Sequence, residues 1–198
     1  MWPVVLGFIF KRSSLFRLQY RPNTSAKRSS SKQSAMRESA IQVYESRKDA
    51  PEGKLWCPIA QDYFNTSQMK AAHIVPSRLG PGLVEYLFGS GSSSRLHTWD
   101  NCLILCSSVE ENFDKGNFVL IPADPNESPI KTWKIQLTNV AAKYSDMGHK
   151  TLAQLDGKQV LLRMTAGRQR DFYIIISSSH YFAIKEIANR GMRNTLWN

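Results

Sequence analysis

The 198-residue sequence predicts an α+β fold, a small domain of mixed short strands with a few short helices. Short runs of β-branched, aromatic and leucine side chains recur along its middle, each closed by Gly, Pro, Asn, Asp or Ser. Serines placed three residues ahead of glutamates mark one helix start within that series. No internal repeat is visible.

From the N-terminus, residues 2–10 are largely apolar and far too short a run to span a bilayer. No positive charge precedes them and no clean small-residue cleavage site follows, so a secretory signal is not expected. Residues 1–37 carry eight basic residues, many serines and no acid. That composition suits a mitochondrial presequence or a plain basic tail, and the tail is the reading adopted. Residues 24–39 are polar and serine-rich and are expected to be disordered. Residues 39–47 are expected to form a short helix with Ile41, Val43 and Tyr44 as its apolar members. Order is expected to begin near Lys54.

Residues 55–59 and 69–75 read as strands around a turn holding Asp62, Asn65, Thr66 and Ser67. A Gly/Pro-rich bend at 79–82 leads into an amphipathic turn or two of helix over 83–88, and residues 89–94 form a flexible Gly/Ser loop. Residues 102–106 are a strand. Ser107 lies three residues before Glu110 and Ser108 three before Glu111, so either could cap a helix through Phe113. Strands over 117–121 and 133–137 follow. Beyond Asn139 come a helix start at 151–155, a buried segment at 172–176 and a terminal helix over 179–189.

The net charge of +10 suggests a nucleic-acid binder, but it is unevenly placed. Residues 1–50 hold 10 Lys/Arg against 3 Asp/Glu, and residues 51–198 hold 16 against 13. The folded part is therefore only mildly basic. Lys158, Arg163, Arg168 and Arg170 form a local cluster that reads as a contact surface or as a solvated face. Three cysteines without a C-x-x-C pair argue against a disulfide framework and against a cysteine zinc site. Strand alternation puts Cys102 and Cys106 on the face of Ile104, and buried reduced thiols suit an intracellular protein of the nucleus or cytoplasm.

Phosphodiester hydrolysis needs a group to deprotonate water, a cation to neutralise the scissile phosphate, and a scaffold holding both. Imidazole, with a pKa near 6.5, accepts a proton at neutral pH. The chain offers Ala71-Ala72-His73-Ile74-Val75-Pro76, then Asp100-Asn101-Cys102-Leu103-Ile104-Leu105, then Glu110 with Phe113-Asp114. This series resembles the HNH (His-Asn-His) endonuclease family, whose fold is the ββα-metal finger. It is particularly similar to fungal HNH-domain proteins and to bacterial families whose first histidine sits in an AAHI motif. The resemblance covers residues 55–122; residues 129–158 also resemble the fungal relatives, and residues 1–50 lie outside it.

The resemblance implies a role for each residue. His73 would be the general base, or in some branches touch the metal. Asn101 would tether the loop between the strands and orient the histidine. Glu110 stands at the metal-ligand position on the helix, and Asp114 would be a second ligand or a helix-end anchor. The sequence departs from the family twice: Ala72 stands where many members carry an acidic ligand, and Glu110 replaces a histidine. Carboxylate ligands favour Mg²⁺ or Mn²⁺ over Zn²⁺.

Each residue also has a structural reading. His73 could be a satisfied core imidazole, Asn101 a turn cap, and Glu110 the cap partner of Ser107. His97 reads as a surface residue of the flexible loop, and His149 and His180 as structural or exposed. Trp56, Phe88, Trp99, Phe113, Phe118 and Trp133 read as core.

The expected organisation is a basic tail (1–50), an HNH nuclease-like core (51–125) and a C-terminal extension packed on it (126–198). The expected function is metal-dependent hydrolysis of DNA, with Lys70, Arg78 and Arg95 as phosphate contacts and no membrane association. The alternative is a degenerate HNH domain acting as a nucleic-acid or protein-binding module.

Overall fold

Antiparallel strand pairs set the positions of all other elements. In the computed structural model, which describes residues 30–75, 77, 80–124, 126, 127 and 132–164, β1 (Lys54–Cys57) pairs with β2 (Asp62–Asn65). Next, β3 (Met69–His73) pairs with β4 (Cys102–Cys106), and β5 (Phe118–Pro122) with β6 (Trp133–Leu137). The described helices are α1 (Ser30–Val43), α2 (Pro81–Phe88), α3 (Ser107–Asp114) and the short α4 (Leu152–Leu155).

Strand β4 is buried at every position, which is why its sequence is a continuous apolar run rather than an alternating one. It leads directly into α3, which packs back against β3 and β4. The segment β3–β4–α3 is thus a ββα unit, with the long 74–101 connection at its open end.

One apolar cluster joins the elements. Leu55, Leu103, Leu105, Phe118, Trp133, Ile135, Met147 and Leu152 are all buried in it. Helix α1 belongs to the same cluster through Met36, Ala40 and Ile41. Arg37 adds a hydrogen bond from Nη2 to the Thr66 carbonyl at 3.0 Å. The Tyr44 hydroxyl lies 2.7 Å from the Cys102 carbonyl.

From Ser30 onward that helix replaces the disorder expected over residues 24–39, and it takes in the start of the short helix expected over 39–47. Its sequence is polar on average, so helical propensity and patterning argue weakly for it. Docking of a narrow stripe at positions 36, 40 and 41 stabilises it instead, as tertiary packing does for most protein helices. Other differences are local. Residues 62–65, read as a turn, form β2, with Phe64 buried. The Gly/Ser loop tightens into a 3-10 segment over Ser92–His97. Strands β5 and β6 lie on either side of the expected boundary at 125/126 yet pair with each other, so the extension and the core share one body here.

The capping box also fails. Cys106 is the N-cap of α3 and supplies no side-chain cap, while the Ser107 hydroxyl donates to the Gln68 carbonyl at 2.7 Å. Glu110 is therefore not a cap partner. The expected segments at 172–176 and 179–189 lie outside the described residues, as do Arg78, Arg168, Arg170 and His180.

Candidate active site

His73 ends β3, opposite Cys102. Its ring is half-buried and meets a second imidazole: His73 Nε2 lies 3.3 Å from His97 Nδ1. The rings cross edge-on, with centroids 5.4 Å apart and an interplanar angle of 81°. His97, read from sequence as a surface residue, is half-buried. Burial, helped by the Lys32 ammonium of α1, lowers its pKa from the ordinary histidine value, so His97 is held neutral at physiological pH.

Asn101 explains how the two rings meet. Its side chain is 1% exposed, and its carboxamide is spent on backbone. Oδ1 accepts the Val75 N–H at 2.7 Å, and Nδ2 donates to the Val75 carbonyl at 3.2 Å and the Leu96 carbonyl at 2.9 Å. It thereby clamps the chain two residues after His73 to the chain one residue before His97. The clamped loop is braced again at Asp100, whose buried carboxylate accepts from Arg95 Nε at 2.9 Å and from the Thr98 hydroxyl. The guanidinium of Arg95, a candidate phosphate contact, is thus engaged in an ion pair within the loop.

Glu110 and Asp114 lie four residues apart on α3, one helical turn. Glu110 is partly buried, Asp114 exposed. Burial first, and the Asp114 carboxylate second, push the Glu110 pKa upward, while Lys70 of β3 pulls it back. No described residue donates a side-chain or backbone hydrogen bond to the Glu110 carboxylate. Two carboxylates one turn apart, one partly buried and one exposed, suit a hard divalent cation, since Mg²⁺ takes one or two carboxylates and fills its other positions with water and phosphate.

The described residues contain no group of three or more His, Cys, Asp or Glu that could hold a metal ion. His73, Glu110 and Asp114 are therefore not gathered into one ligand cluster. Strand alternation gives part of the reason: Lys70 and Ala72 share one face of β3, and His73 the other. The position sharing Lys70's face is a methyl group, Ala72, buried in the core. A cavity of about 430 Å³ lined by Lys54, Asn65, Gln68, Cys106 and His149 opens elsewhere and includes none of the predicted site residues. His149 stacks on Phe64 with centroids 5.2 Å apart.

Of the residues singled out from sequence, Asn101 touches the support of His73 rather than its ring. Lys70 stands exposed near Glu110. The histidine that does meet His73 reads from sequence as a surface residue because it follows a Gly/Ser-rich loop. Its one sequence signal was its place, four residues before Asn101.

Residues 57–121 match the family model for HNH endonucleases, which supports an HNH-type domain over this segment. It spans β3, β4 and α3 together with the loop that joins the strands. The match is to the family as a whole and singles out no branch, fungal or other. No curated protein and no solved structure matches the chain. No described helix is long and apolar enough to cross a membrane.

Proposed function

We propose that this protein is a metal-dependent endonuclease that hydrolyses DNA phosphodiesters, with His73 as general base and Glu110 and Asp114 as the metal-holding pair. The observation that carries the reading is the HNH match over a ββα unit in which an imidazole ends the first strand and two carboxylates ride on the helix. Mg²⁺ or Mn²⁺ held by those carboxylates supplies neutralisation of charge on the scissile phosphate.

His73 takes a proton from water as the water oxygen bonds to phosphorus and the bond to the leaving sugar oxygen breaks. Asn101 keeps the strand exit in place while this happens. Neutral His97 leaves the imidazole pair without a second positive charge that would oppose protonation of His73. Three buried free thiols support an intracellular setting.

The test is metal-dependent nicking of supercoiled plasmid by the full chain. His73→Ala should lower nicking at least 100-fold, the scale of general-base catalysis, with the thermal midpoint preserved. Nicking within twofold of the parent would remove the enzymatic reading. The buried Ala72, and the lack of a three-residue ligand group among the described residues, favour a second reading, a binding module without catalysis. Calorimetry separates the two: DNA binding without any Mg²⁺ or Mn²⁺ binding selects the module.

A further inference from the structure

We infer that His97 is a positioning residue that fixes the tautomer and ring orientation of His73, a role that rests on the nuclease reading above. The contact between His73 Nε2 and His97 Nδ1, 3.3 Å long, needs one N–H and one lone pair. Two protonated rings would set N–H against N–H, so the pair holds at most one positive charge. His97 is the partner kept neutral, since burial and Lys32 both oppose its protonation.

A neutral His97 can donate or accept at Nδ1; the arrangement that gives His73 a basic Nδ1 has His97 accepting, with the His73 proton on Nε2. The unprotonated His73 Nδ1 is then the nitrogen able to take the proton from water. Once it has done so, His73 is an imidazolium whose Nε2–H donates to a neutral acceptor, a charge-assisted bond stronger than the one before it. The second nitrogen of a working histidine ordinarily has such a partner, which sets which nitrogen is basic.

The surroundings are built to keep His97 in place. Leu96 on one side is held by Asn101 at 2.9 Å. Thr98 on the other side is hydrogen-bonded to the Asp100 carboxylate, which also binds Arg95. Among the described residues, Lys32 of α1 acts on His97, and Arg95 and Asp100 are paired within the loop that carries it. Asn101 cannot orient the His73 ring directly, because its carboxamide is occupied by the Val75 and Leu96 backbone.

Two measurements on the full chain decide the matter. Nitrogen-15 chemical shifts of the histidine rings should show His73 protonated on Nε2 in the parent protein, and a mixture of tautomers with a shifted His73 pKa in His97→Ala. Plasmid nicking by His97→Ala should fall at least tenfold in kcat with KM for DNA within about twofold. His97→Asn, which keeps an acceptor, should recover part of the loss. An Nδ1-protonated His73 in the parent overturns the inference, as does a tautomer and pKa unmoved by His97→Ala. If the parent does not nick DNA under any metal, the nuclease reading fails, while the ring shifts still decide whether His97 sets the His73 tautomer.

Discussion

Replacing Asn101 by Ala removes three hydrogen bonds from a side chain that is 1% exposed. The Val75 N–H, buried with its residue, is left without its 2.7 Å acceptor, and a buried orphan donor costs about 1–3 kcal/mol. The Val75 and Leu96 carbonyls each lose a donor as well. Carbonyls tolerate this better, at roughly 0.5–1 kcal/mol each on the net scale of a hydrogen bond. The expected loss is about 2–5 kcal/mol, at the upper end of what single substitutions do.

Urea denaturation of Asn101→Ala beside the parent measures it, the midpoint falling while the slope stays constant. Asn139→Ala serves as the reference. Asn139 is half-buried, accepts from Ala141 at 3.2 Å and donates to Asn117 at 2.9 Å, and losing a cap of this kind costs about 1 kcal/mol. Asn101→Asp sharpens the test. It keeps an acceptor for Val75 but buries a charge and turns it toward two carbonyls, so it should be no better than Ala. A loss below about 1 kcal/mol for Asn101→Ala, or one no larger than for Asn139→Ala, would refute the clamp.

Ile41→Ala should cost about 2–5 kcal/mol in the same assay, because α1 is part of the core; a negligible loss would mean that the helix is a dispensable tail. Glu110→Gln should leave the metal-free thermal midpoint unchanged or raised, since the carboxylate is disfavoured where it stands. It should also weaken Mg²⁺ or Mn²⁺ binding at least tenfold by calorimetry. In the parent, that binding should strengthen as pH rises through the raised Glu110 pKa, because the cation competes with a proton for this carboxyl. Among the cysteines, the hydrogen bond with Cys57 brings Cys106 down to about 7, and burial pushes Cys102 up to about 12. A small alkylating reagent at pH 8 should therefore modify Cys106, which borders the 430 Å³ cavity, well before Cys102, as read by peptide mass.

The parts of this site legible in the sequence are those fixed by short-range geometry. A strand through His73, a strand starting after Asn101 and a helix carrying Glu110 follow from apolar runs and their spacing; β4 and α3 fall where those runs are, and β3 stops at His73, two residues short of the expected end. The parts that were not legible depend on tertiary contact. A polar, serine-rich segment gives no local reason to fold, yet α1 forms because Met36, Ala40 and Ile41 find the core. Ser107 and Glu110 have the spacing of a capping box, but the helix begins at Ser107 with Cys106 as its N-cap, and the Ser107 hydroxyl donates to the Gln68 carbonyl just before β3. His97 is of the same kind: nothing in Ser92–His97 announces a partner for His73, because the clamp that brings them together runs through Asn101.

This dependence on the 74–101 connection bears on how mutants of the site are read. Asp100 has a side chain 7% exposed, and Arg95 supplies its countercharge. Breaking a buried pair by removing one partner costs about 3–5 kcal/mol, and here the strain would fall on the residues that hold His97. Loss of nicking in Arg95→Ala would thus report a loosened loop as much as a lost phosphate contact. Lys70 carries no such burden: it is exposed, and its charge acts on the Glu110 carboxylate from a distance. A Lys70→Ala variant that keeps its thermal midpoint but binds DNA less tightly, with a shallower salt dependence, isolates the electrostatic contribution that Arg95 cannot.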